Sequence, residues 1–97
     1  MINFDLITGF QWDQGNARKN VDKHGVSQSE AEQVFFNEPL LITSDIKHWQ
    51  SEPRFHALGI TTLGRRLHVT FTLREGDSKI RVISARDMHR KERVHYE

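Results

Sequence analysis

The sequence predicts an α+β domain: two N-terminal helices packed on a four-stranded antiparallel sheet, followed by a C-terminal helix. Three observations lead there. Helix signals cluster in residues 13–36 and again after Asp87. Between them lie segments of two-residue alternation joined by Gly- and Asp-containing turns, so helices are grouped before strands rather than interleaved with them. A chain of 97 residues has room for one modest core, and residues 1–97 read as a single domain.

The elements follow in order. Phe4 to Ile7 reads as a short extended stretch, and Phe10-Gln11-Trp12 alternates as a short strand does. Asp13 is placed to cap a helix running to about Lys23, which Gly25 ends in the left-handed conformation that glycine adopts freely. Ser27-Gln28-Ser29-Glu30 is a capping box for a second helix, with Ala31, Val34 and Phe35 as its apolar stripe. Asn37-Glu38-Pro39 stops it, because proline cannot continue the helical hydrogen bonding. Leu40 to Thr43 is a short apolar run and Ser44 to Pro53 a polar loop. Phe55 to Thr62, Leu67 to Leu73 and Lys79 to Ala85 read as three strands, connected by Leu63-Gly64-Arg65 and Glu75-Gly76-Asp77-Ser78. In the middle one, Leu67, Val69, Phe71 and Leu73 share one face; His68, Thr70, Thr72 and Arg74 share the other. In the last, regular alternation sends Arg81 and Arg86 to opposite faces. A final helix starts near Asp87. Helices on one sheet face would leave the polar face as an open groove.

Composition sets the limits on function. No stretch approaches the length of a membrane span, and the first residues lack the basic start and apolar middle of a signal peptide. Without cysteine there is no disulfide, thiolate nucleophile or zinc–thiolate site, and a reducing cytoplasm is the expected location. The net charge of +1 hides an asymmetry. Residues 1–53 hold four Lys/Arg against eight Asp/Glu, and residues 54–97 hold ten against five. A basic C-terminal half favours a polyanion such as RNA, or an acidic protein partner; equally, its arginines serve as solubilising strand charges.

Several short pieces, in order, resemble the BrnT family of toxin–antitoxin ribonucleases. They are Trp12-Asp13, Asn20, Lys23-His24-Gly25-Val26-Ser27, Val34-Phe35, Asn37-Glu38-Pro39, Glu52-Pro53-Arg54, Gly59, Gly64-Arg65, Arg81-Val82-Ile83-Ser84-Ala85-Arg86, Glu92-Arg93 and Tyr96. The chain departs from the pattern in two places. Met1 to Gly9 extends ahead of the first strand, and Gln14-Gly15 stands where a proline-containing helix start is common. The resemblance implies a RelE-like fold and a ribonuclease toxin that cleaves messenger RNA and inhibits translation. It also implies neutralisation by a BrnA-type antitoxin in a two-plus-two complex, with DNA contacted only through the antitoxin.

Cleaving RNA without a metal requires a base near the ribose 2′-hydroxyl, an acid near the leaving 5′-oxygen and cations around the phosphate. Lys23 and His24 end the first helix; histidine as a residue type can serve as acid or base at neutral pH, which makes His24 a candidate, and Lys23 could bind the scissile phosphate. Each has a plain alternative. His24 follows Ala17 and Val21 at helical spacing and so fits the core face, and Lys23 suits the negative end of a helix. Arg54, Arg74, Arg81 and Arg86 are candidate phosphate ligands, since arginine stays charged and offers a planar fork of donors. One of Arg81 and Arg86 would face the groove and the other pair with Asp13, Asp22 or Glu92. Arg93 and Tyr96 lie one helical turn apart; Tyr96 either contacts RNA or pins the helix to the sheet. The expected catalytic set is Lys23, His24, Arg54, Arg74, Arg86 and Tyr96, with Arg65, Arg81 and Arg93 binding RNA. His56 and His68, on neighbouring strands, are further acid–base candidates, whereas His48, His89 and His95 read as surface residues. No metal site and no cofactor motif is evident; Asp45 with His48 is only a local pair.

A second reading uses the same residues differently. A catalytically inactive module that binds an antitoxin and acts as a transcriptional co-repressor would need the same basic face. A non-catalytic RNA-binding domain is less favoured, because the strands lack the paired aromatics of a base-stacking sheet.

Overall fold

The computed structural model describes residues 2–45, 47 and 52–97. In chain order the elements are β1 (Gly9–Gln11), α1 (Gln14–His24), α2 (Gln28–Gln33), β2 (Leu41–Ser44), β3 (Phe55–Ile60), β4 (Arg66–Arg74), β5 (Lys79–Asp87) and α3 (Arg90–Tyr96). Short 3₁₀ turns occupy Phe4–Leu6 and Val34–Phe36. No described helix is long and apolar enough to cross a membrane.

The predicted α+β class holds, but the sheet has five strands rather than four and is mixed rather than antiparallel. Its order is β1-β5-β4-β3-β2. The extra strand is β1, which runs parallel to β5, with Gly9, Phe10 and Gln11 opposite Lys79, Ile80 and Arg81. A parallel pair cannot be closed by a tight turn, so the partner of β1 lies at the far end of the chain, where local patterning does not reveal it. The N-terminal stretch also differs from expectation. Asn3 accepts a hydrogen bond from the Asp5 N–H at 3.0 Å and winds Phe4–Leu6 into a 3₁₀ turn instead of an extended segment.

The helix signals work as read. Asp13 caps α1 by accepting from the Asn16 N–H at 3.1 Å, and Gly25 ends it at φ +63°. Gln14-Gly15 does not prevent this helix from starting. Ser27 and Glu30 form the reciprocal capping box of α2. Asn20, on α1, is buried and accepts from the Ala85 N–H at 3.2 Å. Its amide oxygen thus satisfies a β5 donor beyond the point where β1 ends.

One side of the sheet carries the core. Ala57, Leu67, Val69, Phe71, Ile80, Val82 and Ala85 are fully or almost fully buried, together with Val26, Ala31 and Val34 from the helical layer. Phe35 meets Phe71 edge-on at 5.1 Å, and Phe55 stacks on Phe71 at 5.5 Å. Gly59 lets the helical layer approach β3: a Cβ there would lie 2.8 Å from the Val34 Cβ.

An irregularity in β5 changes the expected facing of its arginines. Thr70 pairs with Ser84, yet the next residue, Phe71, pairs with Val82, so Ile83 is an extra residue in the ladder. The bulge shifts the alternation by one. Ile80, Val82 and Ala85 all face the core, and Arg81 and Arg86 therefore both stand on the opposite, polar face. The prediction of opposite faces fails because one inserted residue inverts the two-residue period.

β5 also runs two residues past its predicted end. Asp87 still pairs with Leu67, and the Met88 N–H reaches the Arg66 carbonyl at 3.1 Å, with Met88 buried. The last helix consequently starts at Arg90 rather than near Asp87. It lies on the polar face, where Arg86 and Glu92 are joined, and packs against β3.

Candidate active site

The polar face gathers side chains from three central strands. His56 of β3 stands opposite Thr70 of β4, and His68 opposite Arg86 of β5. The His56 and His68 rings are in contact, with centroids 4.7 Å apart. The contact crosses from β3 to β4, the neighbouring strands on which the sequence places these two histidines.

Both ring nitrogens of His56 have partners. Nε2 lies 3.0 Å from Asp45 Oδ2, and Nδ1 lies 2.9 Å from Thr70 Oγ1. An ionised carboxylate only accepts, so Nε2 carries a proton toward Asp45, while the Thr70 hydroxyl can either donate to Nδ1 or accept from it. Asp45 thus orients the His56 ring. Nothing in the sequence marks Asp45 for this role, because it lies in the polar loop after β2.

His68 is different. Burial, and then the Arg86 charge, push its pKa from an ordinary 6.5 to about 4. It is a neutral ring at physiological pH. The unfolded chain would take up a proton near pH 6.5 that the folded chain refuses until about pH 4. Stability should therefore fall as pH drops through that window. Urea melts at a series of pH values should show this slope in the wild type and a shallower one in His68→Gln; equal slopes would remove His68 as its source.

Arg86 and Glu92 form a two-point ion pair. Nη1 donates to Oε1 at 2.8 Å and Nη2 to Oε2 at 3.0 Å, while the His89 N–H also donates to Oε1. Arg86, with help from that backbone bond, brings the Glu92 carboxyl down to about 2. His68 Nε2 stands 3.7 Å from Glu92 Oε2. At the other end of the face, Arg74 bonds Glu52 at 2.8 Å and Thr72 donates to the Pro53 carbonyl. Arg54 precedes His56 by two residues and so falls on the same side by strand period. Arg81 pairs with Asp13 at 3.2 Å and with Gln11, at the β1 edge of this face.

The other predicted residues lie elsewhere. Lys23 and His24 end α1 beside the far end of β5, where the His24 carbonyl accepts from Arg65. Arg65 also bonds Asp87, Glu30 and the Gly25 carbonyl. The structure thus groups Lys23 and His24 with Arg65 and Asp87, apart from the His56–His68 pair. Tyr96 is 9% exposed, and its hydroxyl donates to the Pro39 carbonyl. Burial raises its pKa. The bond to Pro39 ties α3 to the segment just ahead of β2. Arg93 is exposed and donates to the Met88 carbonyl at 3.1 Å. His89 and His95 are exposed as expected, and His48 lies outside the described residues. Among the described residues no three His, Asp or Glu are arranged to hold a metal ion. An apolar cleft of about 740 Å³ between the N-terminal turn and Ile42, Phe55 and Leu73 lies on the core side, away from the histidines.

Residues 12–92 match the family model described as the ribonuclease toxin BrnT of type II toxin–antitoxin systems. The chain belongs to the BrnT family. Its fold agrees with the 1.1 Å crystal structure of the Brucella abortus ribonuclease toxin BrnT, at a TM-score of 0.63 and 20% sequence identity. That likeness covers 86% of this chain and 99% of the Brucella chain. No curated protein sequence matches. Membership makes this chain a ribonuclease toxin of a type II system, which implies an antitoxin partner. The BrnT match begins at Trp12, so the N-terminal 3₁₀ turn and β1 precede it.

Proposed function

We propose that the chain cleaves RNA on the polar sheet face without a metal, and so inhibits translation. The observation that supports this reading most is the meeting of the Asp45–His56–Thr70 line, His68 and Arg86 on one face of the sheet. In the proposed reaction the 2′-oxygen attacks the adjacent phosphorus and gives its proton to a base. The 5′-oxygen leaves with a proton from an acid, so the products carry a 2′,3′-cyclic phosphate and a 5′-hydroxyl. His56, oriented by Asp45, is the proton-handling group we assign. Arg86, Arg74 and Arg54 hold phosphates, and Arg81 extends the cationic track to the β1 edge. Lys23, His24 and Arg93 would meet RNA only past the end of β5. Arg65, whose donors are engaged within the fold, and Tyr96 act through structure. Neutralisation by a BrnA-type antitoxin in a two-plus-two complex completes the proposal.

The test is incubation of the purified, antitoxin-free protein with end-labelled RNA in EDTA. Cleavage to 2′,3′-cyclic phosphate ends is the expected result. Intact RNA, together with unimpaired growth on expression, would replace this reading with the antitoxin-binding co-repressor.

A further inference from the structure

The Arg86 fork is already filled. Glu92 takes both of its terminal nitrogens, at 2.8 and 3.0 Å, in the side-by-side geometry that two phosphate oxygens would adopt. We propose that Arg86 is a phosphodiester seat that the protein's own Glu92 carboxylate occupies at rest, so that RNA binds here by displacing it. The proposal rests on the ribonuclease reading for its biological meaning but makes a separate claim about binding.

Three features of the site carry it. The occupied fork lies beside His68, whose Nε2 is 3.7 Å from Glu92, and His68 touches His56. An oxyanion on Arg86 is therefore delivered next to the proton-handling residues. The pair is accessible: the Arg86 and Glu92 side chains are 25% and 24% exposed, so the exchange does not leave a bare charge in the core. Finally, Glu92 sits on the first turn of α3, a helix of 7 residues, and a glutamate side chain can swing about its own bonds while the helix stays in place. Separate anchors keep that helix on the sheet: Tyr96 to the Pro39 carbonyl, Arg93 to the Met88 carbonyl and Arg66 to Glu97.

Glu92 has one other task, which the test has to preserve. It closes the capping box of α3 by accepting from the His89 N–H. Glutamine serves at this position as well as glutamate, so Glu92→Gln keeps the cap while removing the competing charge.

The experiment measures binding of a short fluorescent 2′-O-methyl RNA, which lacks the attacking hydroxyl, to the antitoxin-free wild type and to Glu92→Gln. The variant should bind about fivefold more tightly, the scale of one exposed ion pair removed from competition. Its logarithmic salt dependence should also be steeper, because in the bound wild type the freed Glu92 carboxylate stands beside the phosphate and offsets part of its neutralisation. Adding Arg86→Ala to Glu92→Gln should abolish both gains. Thermal melts of each variant accompany the titrations. If Glu92 only braces α3, Glu92→Gln will melt lower and bind RNA no better or more weakly; that result, or no measurable binding by either protein, overturns the seat. Cleavage of unmodified RNA is scored in parallel. Tighter binding without cleavage by either protein would keep the seat and reject the nuclease, whereas wild-type cleavage with unchanged binding would do the reverse.

Discussion

Arg86→Ala in the antitoxin-free protein is expected to slow RNA cleavage by roughly 10²-fold, the usual cost of removing one preorganised donor from a site where negative charge builds up. The argument starts from position. The bulge at Ile83 turns Arg86 onto the same face as Arg81 and Arg74, opposite His68 and one strand from His56. On the proposed reading, a phosphate held by its fork would be presented to the Asp45–His56–Thr70 line. As the 2′-oxygen bonds to phosphorus, charge accumulates on the phosphate oxygens, and a planar pair of N–H donors stabilises that state more than the ground state. The substitution also strips Glu92 of its main partner, so a lower melting temperature will accompany the effect. Initial rates divided by the folded fraction, followed by circular dichroism, separate the two. A rate per folded molecule within about threefold of the wild type would take Arg86 out of the site.

Arg65→Ala should produce the largest stability loss among the candidate arginines, about 2–3 kcal/mol, or roughly 10–20 °C in melting temperature for a chain of this size. Arg65 leaves the β3–β4 turn and ties three elements together. It bonds Asp87 at 2.7 and 3.0 Å, Glu30 at 3.2 Å, and the His24 and Gly25 carbonyls at 3.1 and 2.8 Å. Those carbonyls belong to the end of α1, where no further helical N–H is available to them. With 29% of the side chain exposed, water recovers part of what is lost, which keeps the figure below that of a fully buried network.

The pH dependence of this variant provides a second readout. The Arg65 hydrogen bond is the main cause holding the Asp87 carboxyl below its usual range; for Glu30 the Ser27 backbone comes first and Arg65 adds to it. A depressed carboxyl contributes stability that is fully present above its unfolded pKa, 3.8 for Asp87, and is lost as pH falls through the folded value. Arg65→Ala should therefore flatten the acid limb below about pH 4, mostly through Asp87. An unchanged acid limb, or a melting temperature close to that of the wild type, would show that Arg65 is no clamp and return it to the RNA-binding set.

Much of the candidate face is visible in the sequence as residue types, and far less as partners. His68, Thr70, Thr72 and Arg74 are correctly placed by the alternation of β4, since a strand's two-residue period is a local property. His56 and His68 follow from neighbouring strands. Asp45 as the partner of His56 does not, because it reaches the ring only when the loop after β2 folds over the sheet. Asp13 and Glu92 are among the carboxylates expected beside Arg81 or Arg86, and in the structure both arginines are paired rather than one. His24 illustrates another case: titratable chemistry and the family resemblance single it out, whereas the contact visible only in the fold is the docking of Arg65 on its backbone carbonyl at the end of α1.

By itself the sequence determined the α+β class, the caps of α1 and α2, the turns and the polar face of β4. Each depends on residues within a few positions of one another, so hydrogen-bond chemistry and periodicity suffice. Only the tertiary structure decided the rest. The parallel pairing of β1 joins Gln11 to Arg81 across 70 residues, and no local signal encodes that closure. The extra residue in β5 turns Arg81 and Arg86 to one face, because a strand's alternation reverses wherever its ladder gains a residue. The occupation of the Arg86 fork by Glu92 depends on where α3 comes to rest, which Tyr96 settles by finding the Pro39 carbonyl.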